Sequence, residues 1–192
     1  MLFVAAFEPE LSKLREIRPS VWAVPVGIGL PAAAVGTAKA LLGRSPKAVV
    51  LLGTCGAFPG RGLAVGDVVV AAGVRLGSAA AARGEGAMPA PMAEVLPCDP
   101  TVLGVPGKSV QVATTLAVTT TAELAAAMAE STGCDVEHLE AYAVALACRA
   151  AGVPFLAVLA VANEVGPEGR AQWAEHHQRV SDVLAEVVNR VL

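Results

Sequence analysis

The sequence predicts an α/β fold: one domain over residues 1–192, with a central mixed, twisted β-sheet flanked by helices. Three observations carry this. Short apolar runs alternate with helical patterns along the chain. Two of those runs, Lys47–Leu52 and Pro154–Ala162, are almost continuously hydrophobic, as strands covered on both faces are. A length of 192 residues suits one substantial core and is short for two.

In chain order, Leu2–Phe7 predicts a buried strand. Glu8-Pro9-Glu10 opens a helix through about Glu16, with Pro where a helix start accommodates it. Val21–Val26 predicts a second strand, Gly27-Ile28-Gly29 a tight turn, and Pro31–Leu42 an Ala-rich helix. Lys47–Leu52 is a third strand ending in Gly53-Thr54-Cys55-Gly56, and Asp67–Leu76 is a fourth. Gly77–Pro106 is rich in Gly, Ala and Pro and predicts a long loop with fragments of structure, a length usually tied to function or motion. Ser109–Thr115 and Leu116–Thr119 read as strand, and Ala122–Glu130 as a short helix capped from within Thr119–Thr121. A helix His138–Ala151 and the strand Pro154–Ala162 follow. An amphipathic helix Gln172–Leu192 closes the chain, with Val180, Val183, Leu184, Val187 and Val191 on one face.

Composition removes several function classes. The chain is 55% hydrophobic and 16% charged, far from a disordered composition. Aromatics are only 4%, so Ala, Val and Leu must fill the core. A net charge of -3 without a basic run argues against nucleic acid as a partner. Cys55, Cys98, Cys134 and Cys148 are widely spaced and suggest neither a zinc site nor a disulfide framework, so no metal is expected. No signal peptide or membrane span is legible, and a cytoplasmic protein is expected.

Four places could carry chemistry, each with an ordinary alternative. The Gly53-Thr54-Cys55-Gly56 motif follows a buried strand; its glycines allow close approach of a ligand, and its N–H groups could bind an oxyanion or hydroxyl. Its ordinary alternative, the commoner one for glycines at a strand end, is a tight turn. Glu137 and Glu140 would share a helix face, with His138 pointing elsewhere. A carboxylate there can accept two hydrogen bonds from a sugar diol, or merely suit a helix N-terminus. The apolar run after Glu140 favours the first, because buried carboxylates need a reason. Asn163 ends a strand and could offer donors and an acceptor to a heterocycle edge, or sit in a turn. Glu10 could act as a base or lie solvated on its helix, as His176 and His177 are expected to do.

Taken together, Phe7–Leu11, Gly27–Gly29, Gly53–Gly56, Val65–Val70, Val136–Ala145 and Val153–Asn163 resemble, in order and spacing, the nucleoside phosphorylase/nucleosidase superfamily. Its members cleave the N-glycosidic bond of nucleosides. Val136-Glu137-His138-Leu139-Glu140-Ala141-Tyr142, then Asn163, Val165-Gly166, Arg170 and Trp173, are most similar to its futalosine hydrolase branch. Leu139, Ala141 and Ala162 depart from that branch's Met, Gly and small hydroxyl residue.

The resemblance implies a small-molecule nucleoside substrate, no cofactor and a homo-oligomer. It makes Glu10 the general base and Asn163 the group that stabilises the leaving base. Gly53, Thr54, Cys55 and Gly56 would lie near the sugar or water, Leu139 would pack on the ribose, and Glu140 would hold its hydroxyls. Phosphorylases of the family place an Arg where this chain has Leu51, so water is the expected acceptor. Adenine-specific nucleosidases place Asp where Asn163 stands, so a 6-oxopurine is expected. The alternatives are a methylthioadenosine/S-adenosylhomocysteine-type nucleosidase or a purine nucleoside phosphorylase. A more distant one is a class I glutaminase-like thiol enzyme built on Cys55 and His138-Leu139-Glu140, although Ala57 and Phe58 crowd the elbow that such a nucleophile needs. A nucleoside-binding protein without turnover is a further reading, which the presence of Glu10 and Glu140 disfavours.

Overall fold

A computed structural model describes all of residues 1–192. The strands are β1 (Leu2–Ala5), β2 (Ala23–Pro25), β3 (Val49–Ala57), β4 (Val68–Leu76), β5 (Leu96–Pro97), β6 (Lys108–Thr114), β7 (Val136–His138) and β8 (Phe155–Glu164). The helices are α1 (Pro9–Ile17), α2 (Leu30–Leu41), α3 (Ala79–Ala82), α4 (Ala122–Thr132), α5 (Ala141–Ala150) and α6 (Gly169–Asn189). This is the expected mixed sheet flanked by helices, and it curls further than an open sheet does. β3 runs parallel to β8, β8 antiparallel to β4, β4 parallel to β6, β6 parallel to β7, and β7 returns antiparallel to β3. β1 and β2 extend it as a parallel wing.

The core follows from composition. β8 buries eight consecutive residues, Phe155–Ala162, because both its faces are covered. Ala, Val and Leu dominate the main buried cluster, which lets layers pack closely without large rings. No helix is long and apolar enough to cross a membrane.

One edge of β3 positions the site. β1 pairs with Leu51 and the residues before it, and β7 pairs with Gly56 and Ala57. Neither strand covers the stretch between. The carboxyl ends of β1 and β7 therefore face each other across Gly53–Cys55, in a split where neighbouring strands part. Such splits are the usual ligand sites of α/β sheets.

Several expectations need correction. Gly53–Gly56 is not a turn: β3 continues through it to Ala57, held by the parallel ladder to β8. The helix expected from His138 starts at Ala141, because β7 claims Val136–His138 as a partner for β6 and β3. Glu137 and Glu140 consequently share no helix face. Leu116–Thr119 forms no strand, and Leu116 is 80% exposed. Thr121 does cap α4, accepting a hydrogen bond from the Leu124 N–H. α6 begins at Gly169, three residues earlier than the apolar pattern suggests.

Candidate active site

Glu10 sits in the first turn of α1, directly after β1 ends. Its side chain turns back into the split instead of outward to solvent, and it is only 6% exposed. Because no strand covers β3 there, Thr54 offers a free N–H. Glu10 Oε1 accepts that N–H at 3.0 Å and the Thr54 hydroxyl at 3.2 Å, while Oε2 accepts the Ala6 N–H at 3.2 Å. Trp173, from α6, donates its Nε1–H to Thr54 Oγ1 at 3.0 Å. Indole can only donate, so the hydroxyl proton is left for Glu10. Burial pushes the Glu10 carboxyl up to about 7; the Thr54 N–H opposes this and the nearby Glu140 charge adds to it. A base that changes charge near neutrality is matched to proton abstraction from water.

Glu140 occupies the N-cap position of α5 and accepts the Gly29 N–H at 2.7 Å through Oε1. It is buried, so the turn between β2 and α2 is tied to the start of α5. Glu137 also lines the cavity, and its carboxylate is held there by Thr119: it accepts the Thr119 N–H at 3.1 Å and the Thr119 hydroxyl at 2.5 Å, pinning the loop before α4. His138, expected to point away, is buried on the cavity wall. Its Nδ1 accepts the N–H groups of Glu140 and Ala141 at 3.1 and 3.2 Å.

Asn163 lies near the end of β8, where the β3–β8 register shifts between Cys55 and Gly56. One N–H of its amide donates to the Glu164 carbonyl at 2.9 Å. One N–H and Oδ1 remain for a ligand. The two glycines of the motif make room for side chains. A Cβ on Gly53 would lie 3.0 Å from His138 Nε2 and 3.4 Å from Glu10 Oε1, and one on Gly56 would lie 2.8 Å from Asn163 Nδ2.

These groups converge on a cavity of about 420 Å³. Glu10, Thr54, Cys55, Gly56, Leu139, Glu140 and Asn163 all line it, and Gly53 lies just behind. Sequence reasoning gave no part in nucleoside cleavage to Phe7, Thr119, Glu137, His138, Arg170 or Trp173, which line it too. His177 is not simply solvated: it stacks on Trp173 with ring centroids 4.2 Å apart. The split location was the signal available for His138, and it needed the strand boundary at β7.

Cys55 is no nucleophile here. Burial pushes its thiol far above the ordinary range, and it makes no hydrogen bond to His138, whose Nδ1 is taken by the Glu140 and Ala141 amides. Iodoacetamide at neutral pH is expected to leave activity intact over the time in which a free thiol reacts fully; rapid loss of activity, prevented by substrate, would restore the thiol reading.

Comparisons with known proteins bear on the fold and the family. The futalosine hydrolase of Streptomyces coelicolor is 32% identical over 191 residues, covering 90% of this chain and 78% of that protein. Among solved structures, a futalosine hydrolase mutant of Helicobacter pylori superposes with a TM-score of 0.86 at 13% identity, covering 98% of this chain and 96% of that one. A methylthioadenosine/S-adenosylhomocysteine nucleosidase of Colwellia psychrerythraea in complex with adenine gives 0.83 at 22% identity, covering 97% and 91%. At these identities the structural likeness speaks for the fold alone. The phosphorylase superfamily matches residues 15–192, a span that begins just after Glu10. With that match and the Streptomyces relative, the chain belongs to the phosphorylase superfamily, as a nucleosidase that hydrolyses N-glycosyl bonds of small-molecule nucleosides.

Proposed function

We propose that this enzyme hydrolyses a 6-oxopurine nucleoside, namely futalosine, to hypoxanthine and dehypoxanthine futalosine in menaquinone biosynthesis. The observation that carries the reading is Asn163, a carboxamide with one donor and one acceptor free at the cavity end of β8. A purine departs most easily once N7 carries a proton. Hypoxanthine then presents an N–H beside the O6 carbonyl, which Oδ1 and the remaining N–H of Asn163 match. Adenine in the same state presents two donors, which suit a carboxylate.

The remaining chemistry follows from the charges. Glycoside cleavage builds positive charge on the ribose. Glu10 takes a proton from water as its oxygen attacks C1′, and the buried Glu10 and Glu140 carboxylates favour the developing cation. Leu51 lies buried in β3 with no charge to offer a phosphate, which favours water as acceptor. Arg170, exposed on the cavity rim, offers a cation to the carboxylate of futalosine's 5′ arm. Arg75, by contrast, donates to the Thr132 carbonyl at 2.8 Å.

The test is base release from futalosine, methylthioadenosine and inosine, each with and without phosphate. Futalosine is expected to react fastest, and phosphate to change nothing. Faster adenine release from methylthioadenosine, or a requirement for phosphate, sinks the reading. Glu10 acts as base only when ionised, so kcat/KM is expected to fall as pH drops through about 7. A pH profile flat from 5.5 to 8 (about one unit either side of that value) would remove Glu10 from the role.

A further inference from the structure

We propose that His138 is a second catalytic group: a neutral imidazole whose Nε2–H donates a hydrogen bond to the water that Glu10 activates. The proposal rests on the hydrolytic reading above. It begins with the helix that follows. The first amides of α5 have no partner within the helix, and two of them, from Glu140 and Ala141, are aimed at His138 Nδ1. A ring nitrogen that accepts in-plane hydrogen bonds carries no proton, so the neutral ring holds its proton on Nε2. Burial and the positive end of α5 both disfavour the imidazolium, while Glu140 alone opposes them.

The charged and titratable groups around the ring fit this state. Glu10 approaches from α1, and Glu140 from the start of α5, with Oε2 3.2 Å from Nδ1. That contact is not an ion pair, because two amides already occupy the Nδ1 lone pair. Glu137 lines the same cavity, and both its oxygens are occupied by Thr119.

His138 Nε2 and Glu10 Oε1 both lie close to where a side chain at Gly53 would be, 3.0 and 3.4 Å from that Cβ position. β3 thus holds a glycine where a donor and an acceptor meet from opposite strand ends. A water placed between them gives one hydrogen to Glu10 and accepts from Nε2–H through one lone pair. Its second lone pair is left free for C1′.

Two variants separate the catalytic role from the capping role. His138→Asn can place Oδ1 where Nδ1 sits, keeping both amides satisfied but losing the reach to Gly53. His138→Gln restores an N–H at the Nε2 distance and gives up the cap. His138→Asn is expected to keep the wild-type melting temperature and KM while kcat falls about 10²-fold. His138→Gln is expected to melt lower yet keep more of kcat. Wild-type kcat in His138→Asn overturns the proposal, as does a kcat that tracks melting temperature across both variants. ¹⁵N NMR of the free enzyme supplies a measurement that needs no substrate: an Nδ1–H tautomer or an imidazolium at pH 7 also overturns it. Absence of base release by the wild-type enzyme would instead refute the hydrolytic reading, and the tautomer spectrum would still decide the geometry of His138.

Discussion

Glu10→Gln is expected to lower kcat by about 10²–10⁴-fold, the usual worth of a positioned general base, and at the same time to make the protein more stable at pH 8. Both effects come from one burial. The carboxyl of Glu10 has its pKa raised from 4.5 to about 7, mainly by desolvation. Between those values the unfolded chain has released its proton and the folded chain has not, so stability falls as pH rises from about 4.5 to about 7 and stays low above. The full cost in the wild type is on the order of 3 kcal/mol. Gln carries no charge to desolvate and can still accept from the Thr54 N–H, but its NH₂ meets the Ala6 N–H that Oε2 now accepts. Part of the gain is lost there. The variant should therefore melt a few degrees above wild type at pH 8, and this advantage should vanish near pH 5. Thermal melts at the two pH values isolate Glu10, because every other titrating group is common to both proteins. An advantage of equal size at both would mean that Glu10 is already ionised without cost. Undiminished kcat in the variant would mean that another group activates the water.

Much of this arrangement was legible in the sequence, and the parts that were not share a physical cause. The continuous apolar runs at β3 and β8 marked strands buried on both faces, and they pair along nine positions of β3. Glu10, Glu140 and Asn163 could be singled out because each polar group stands where an apolar run begins or ends. Periodicity could not show that β3 runs on through Gly53–Gly56, because two glycines in four residues look like a turn when the neighbouring strand is unseen. The same blindness moved His138 onto a helix. A three-residue strand such as β7 has no period of its own; it exists because β6 and β3 supply partners on both sides. The Trp173–Thr54–Glu10 hydrogen-bond chain joins α6, β3 and α1, and its outer members are 163 positions apart in a sequence that carries no trace of the contact.

Asn163→Asp is expected to move base preference from hypoxanthine toward adenine by about 10²-fold in the ratio of kcat/KM values, near 3 kcal/mol. The substitution preserves shape and exchanges the free donor for an acceptor. With hypoxanthine leaving, O6 would then face a carboxylate oxygen, so one hydrogen bond is replaced by a repulsion. With adenine leaving, the 6-amino group and the N7 proton would both find acceptors. Gly56 and Gly169 press on Nδ2 at 2.8 and 3.0 Å from their would-be Cβ atoms, so the side chain has little freedom to turn away. The Glu164 carbonyl, which now accepts from Nδ2 at 2.9 Å, would repel an ionised Asp and raise its pKa. The gain for adenine should consequently grow with pH as the new carboxyl ionises, while the parent enzyme shows no such drift in its preference. Competition between inosine and adenosine, followed by the ratio of released bases from pH 6 to 9, reads both effects (a window of about three units). An unchanged ratio throughout would show that base choice is made elsewhere in the cavity, and the case for a 6-oxopurine would lose its carrying observation.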